Sequence, residues 1–114
     1  MDELVAKVAD ATGVDAATAR KAIVIILQFL SNAGPNEKVQ QLIDTIPGAR
    51  EAAGDGAEGP RDIMGAFGAL TAAGLGMSDV QGVASAFGQH ARAQVGPETF
   101  DEVVAEIPGL NQFV

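Results

Sequence analysis

The chain has 114 residues, 47% of them apolar, and its seven Lys and Arg against fifteen Asp and Glu give a net charge of −8. This length suits one domain with its own core over residues 1–114, and the apolar fraction is too high for a disordered chain. The acidic balance argues against nucleic acid or an anionic membrane surface as partner, and the absence of cysteine excludes disulfides, thiolate nucleophiles and sulfur-ligated zinc.

Taken in order, the residues predict helices throughout. Leu4, Val5, Val8 and Ala9 share one helix face, Asp2 and Glu3 suit its first turn, and Gly13 closes it. Asp15 caps a second helix from about Ala16 to Asn32, whose inner face is Ala19, Ala22, Ile23, Ile26, Leu27 and Leu30. Val24, Ile25 and Phe29 make that helix apolar nearly all round, so it should be central. After Gly34-Pro35, a third helix over Asn36 to Thr45 turns Val39, Leu42, Ile43 and Ile46 inward, and a short turn over Gly48 to Ala53 follows. Residues 54–60 form a glycine-rich, acidic linker. Pro60 suits the first turn of a helix from Arg61 to about Ala73 carrying Ile63, Met64, Phe67 and Leu70. Ser78 caps the next, Asp79 to Gln94, with Val80, Val83, Ala84, Phe87 and Ala91 inward. Gly96-Pro97 precedes a last helix over Glu98 to Glu106, and an apolar tail ends in Leu110, Phe113 and Val114.

The chain repeats itself once. Ile46-Pro47-Gly48 returns as Ile107-Pro108-Gly109, Gly34-Pro35 as Gly96-Pro97, and Gly13-Val14-Asp15 as Gly76-Met77-Ser78. These ordered anchors predict an all-α bundle of about six helices. It would consist of two tandem three-helix units, about 1–53 and 61–114, related by a pseudo-two-fold.

The stretch from Leu75 to Leu110, with Leu-Gly-Met-Ser, an apolar helix, Gly-Pro and Ile-Pro-Gly-Leu, resembles the bacterial VcgC/VcgE-like family of uncharacterised small helical proteins. The first half looks like a degenerate copy of the same unit. The resemblance implies an all-helical fold and carries no activity with it.

Candidate chemistry is thin. Gly54-Asp55-Gly56-Ala57-Glu58-Gly59 matches G-x-G-x-x-G, but no strand precedes it and its two acids would repel a pyrophosphate. Asp55 and Glu58 lack the alternate-position ligands of a calcium loop. His90 is the sole imidazole, five residues from Ser85 on one helix, so the two point in different directions. It reads as a partly exposed surface residue. Carboxylates at Glu98, Asp101, Glu102 and Glu106 read as a solvated face. No catalytic, metal-binding or cofactor-binding residue is expected. Gly65, Gly68, Gly82 and Gly88 stand inside helices against propensity, which points to close helix packing.

The leading expectation is therefore a non-enzymatic helical module that binds another protein or itself, with Leu110, Phe113 and Val114 as interaction surface. An alternative is a carrier of a small apolar ligand between helices, lined by Met64, Phe67, Met77 and Phe87. A carboxylate-based metal-dependent hydrolase is a remote third. The acidic start at Met1-Asp2-Glu3 is unlike a signal peptide, and no apolar run reaches the length of a membrane span. With no cysteine, a cytoplasmic setting is expected.

Overall fold

The punctuation residues place the helix ends. The computed structural model describes residues 2–33, 36–46, 48–53 and 59–107. Their order is α1 (Asp2–Thr12), α2 (Ala16–Ala33), α3 (Asn36–Thr45), α4 (Ala49–Ala53), α5 (Ile63–Ala72), α6 (Met77–Val95) and α7 (Pro97–Glu106), with no strand among the described residues. The all-α expectation holds. Among the described residues the count rises to seven because the turn expected after Gly48 is the short helix α4.

Asp15 caps α2 as its position predicts: its Oδ1 accepts the Thr18 N–H at 2.8 Å. That backbone bond holds the Asp15 carboxyl below the usual carboxylate range. Two other caps differ from expectation. Pro60 stays outside α5, and Asp62 is the N-cap, accepting the Gly65 N–H at 2.7 Å. Ser78 lies inside the first turn of α6, which starts at Met77 behind Gly76, and Asp79 accepts the Gly76 N–H at 3.3 Å. In both cases a carboxylate three residues from its partner outcompetes the shorter or absent side-chain acceptor.

The corner between α5 and α6 is a Schellman turn. Leu75 N–H donates to the Leu70 carbonyl at 3.3 Å and Gly74 N–H to the Thr71 carbonyl at 3.0 Å. Gly74 takes the left-handed conformation this requires, at φ +105°. Leu70 and Leu75 are both buried beside it, and the two helix axes meet at 115°.

The core forms around α2, which packs against α1, α3, α4, α5 and α6. Ala19, Ala22, Ile23 and Leu27 are fully enclosed, so the β-branched run from Ile23 to Ile26 is held helical by contacts on most sides. Helix α1 lies across α6 and α2, while α3 rests on α6 and α7. The radius of gyration is 12.3 Å. Exposed ion pairs stitch the outside: Lys38–Glu102 joins α3 to α7, Arg92–Asp101 (2.9 Å) joins α6 to α7, and Arg50 pairs with Asp44. Arg92 also sits 5.3 Å over the Phe100 ring. Such surface pairs each contribute little, about 0–1 kcal/mol.

The helix glycines divide. A Cβ on Gly82 would fall 2.8 Å from Thr12 Cγ2, so α6 and α1 approach closely there, as expected. Gly68 is different: a Cβ there meets nothing within 4 Å. At Gly65 the nearest atom is the capping Asp62 carboxylate, at 3.0 Å. Close packing within the chain therefore accounts for Gly82 and not for Gly68.

Candidate interaction surface

Helix α5 positions the main candidate. It contains Ile, Met, Gly, Ala, Phe, Leu and Thr and no charged residue, so side-chain character alone does not choose its inner face. Spacing does. Ile63, Ala66, Phe67 and Leu70 stand at i, i+3, i+4 and i+7 and face the body of the protein. With Ile26, Phe29 and Leu30 of α2, Val80, Ala84 and Phe87 of α6, and Phe100 of α7, they line an apolar cavity of about 40 Å³.

Of the four residues expected to form an apolar pocket, Phe67 and Phe87 line this cavity. Met64 and Met77 do not. They are 76% and 67% exposed and are the exposed large hydrophobic side chains among the described residues. Met64 lies two residues from the buried Ala66, about 200° around the helix, so the geometry that seats Ala66 turns Met64 to solvent. Met77, the first residue of α6, stands beyond the 115° corner. Leu110, Phe113 and Val114 lie outside the described residues, as do Asp55 and Glu58 of the linker.

A second candidate centres on His90. Contrary to the surface position expected, His90 is buried, at 4% exposure. It follows Val83 and Phe87 at i+7 and i+3 on the covered stripe of α6, and α1 packs over that helix. Its Nδ1 is buried without a hydrogen-bond partner. Burial pushes the imidazole pKa below its ordinary value, the Lys7 ammonium adds to the effect, and Glu3 opposes it. Two open clefts flank the ring. One, of about 580 Å³, is lined by Asp2, Glu3, Arg20, Glu51 and Gln94, and the other, of about 560 Å³, by Lys7, Asp10 and Gln89.

This arrangement has a pH consequence. The unfolded chain takes up a proton near pH 6.5, whereas folded His90 resists it, so the unfolded state binds more protons in that range. Stability is therefore expected to fall as pH drops from about 7.5 to 5.5, and His90→Leu should flatten that slope without loss at pH 7.5. Urea unfolding of both proteins across this range checks it; superimposable slopes would sink the assignment.

No hydrogen bond joins His90 to a serine, and no group of three His, Asp or Glu converges as a metal site, among the described residues. Asp101 and Glu102 engage Arg92 and Lys38, while Glu98 and Glu106 face solvent. No single described helix is long and apolar enough to cross a membrane. Compared with protein-family models, curated proteins and solved structures, the chain matches none. The resemblance to VcgC/VcgE-like proteins rests on the Gly and Pro motifs alone.

Proposed function

We propose that this chain is a non-enzymatic helical module whose work is to bind protein through an apolar surface. The observation that carries the reading is α5, apolar all round yet covered on one side only, with Met64 and Met77 in solvent. A helix of that character is ordinarily enclosed, and an exposed apolar patch on a folded chain marks a contact surface. The carrier alternative is not favoured, because the cavity that Phe67 and Phe87 line is about 40 Å³, far below the roughly 300–1,000 Å³ of ligand pockets. An acidic, cysteine-free chain fits a protein partner in the cytoplasm better than nucleic acid.

Duplication is part of the same proposal. Under the 61-to-63-residue offsets, α1, α2 and α3 correspond to α5, α6 and α7. The packing of α1 on α6 then has its counterpart in α5 on α2, and α2 with α6 and α3 with α7 pair like with like, which supports a two-fold relation in part, since α3 on α6 has no comparable counterpart in α7 on α2 among the described residues. The counterpart of α4 would be residues 110–114, outside the described residues.

The test is affinity capture with the tagged chain and with its Met64→Glu, Met77→Glu variant. At least one protein, a copy of the chain included, should be retained by the first and lost by the second. Identical retained sets would overturn the reading.

A further inference from the structure

We infer that the occupant of the exposed α5 face is a second copy of the chain, paired through α5 with Gly68 at the crossing. This rests on the interaction reading above and gives it a partner and a geometry.

Charge carries the argument. The sixteen residues from Ile63 to Ser78 hold no charged side chain, in a chain of net charge −8. Every other helix carries ionised residues, among them Glu37 on α3 and Glu98 and Glu106 on α7, all exposed and in none of the ion pairs above. Two copies meeting through those faces would set acid against acid. A two-fold contact places the same patch on both sides, so it requires a surface that does not repel itself, and α5 offers one.

The shape of the face agrees. At 100° per residue, Thr71, Met64, Gly68, Ala72 and Gly65 fall within about 120° of the α5 circumference, and all five are exposed. Thr71 donates its hydroxyl hydrogen to the Phe67 carbonyl at 2.9 Å, so no side chain on this arc offers a free hydrogen-bond donor to orient a dissimilar partner. Gly68 sits near the middle with open space where a Cβ would be, so a second helix axis could come close there. Met64 and Met77 then supply adaptable apolar contact beyond the crossing. One helix pair, roughly 15 Å long, buries less than a standard interface, so the dimer is a weak, concentration-dependent one.

Sedimentation equilibrium of the full chain from micromolar to millimolar concentration tests this. The expected result is reversible dimerisation that weakens at least tenfold in the Met64→Glu, Met77→Glu variant, while the melting temperature of dilute protein stays unchanged. A dimer indifferent to both substitutions overturns the inference and leaves the interaction reading standing on another surface. A monomer throughout also overturns it; the interaction reading then survives only if affinity capture still finds a methionine-dependent partner. Two further results overturn it: methionine-dependent binding of the monomer to neutral phosphatidylcholine vesicles, or a dilute monomer destabilised equally by Met64→Glu and by removal of residues 108–114, which would put the chain's own tail on the face.

Discussion

Replacing Phe87 by alanine is expected to cost about 3–5 kcal/mol. Phe87 lies on the covered stripe of α6 at 2% exposure, among side chains from α2, α5 and α7. Its ring is one of several that narrow the apolar cavity to about 40 Å³, so deleting it would open a larger void that neighbours on four helices fill only in part. Total stabilities of domains this size lie near 5–15 kcal/mol, so the loss is a large share of the whole. Urea unfolding should show the midpoint falling by roughly 2 M, at a slope of about 1–3 kcal/mol/M. A change below about 1 kcal/mol would mean that α5 does not close over this part of the core.

Adding one carbon to each of two glycines should give opposite results. Gly68→Ala removes a residue that costs about 1 kcal/mol in a helix interior and adds a Cβ to open space, so dilute, monomeric protein should gain about that amount. Gly82→Ala earns the same helix propensity but sets a Cβ 2.8 Å from Thr12 Cγ2. Thr12 has little freedom to yield, because its hydroxyl is bonded to the Val8 carbonyl at 2.8 Å. Overpacking of this kind costs about 1–3 kcal/mol, so Gly82→Ala should be net destabilising. Combining it with Thr12→Ser, which removes the offending methyl, should recover most of the loss. Thermal melts of the three variants decide the matter: a stabilised Gly82→Ala single variant would show that α1 moves off α6 easily.

Most of the fold is legible in the residues because most helices are amphipathic. Leu4 and Val8, Val39 and Leu42, and Phe100 and Val103 announce their inner faces by spacing, and Gly13, Asp15 and Gly96 announce the ends. The candidate surface is less legible because α5 has no charged side to mark it. Met64 is expected in an apolar pocket with Phe67, yet it is exposed, whereas Ala66, two residues on, is core by position. Only the neighbours supplied by α2 and α6 decide which side is enclosed. His90 shows the opposite case. Its spacing from Val83 and Phe87 is a readable sign of burial, although the Gln89 and Arg92 side chains beside it are polar and exposed. The glycines misled in part because helix propensity says that a glycine is costly without saying what, if anything, approaches it.

The packing of α1 on α6 also sets an order of events during synthesis. Helix α1 packs on a helix that begins at Met77, so α1 is synthesised before the residues that cover it exist. Until then α2 can shelter only part of the apolar stripe of α1. The segment made before α6 is therefore an incomplete object, and this part of the core is sealed only once α6 has been made.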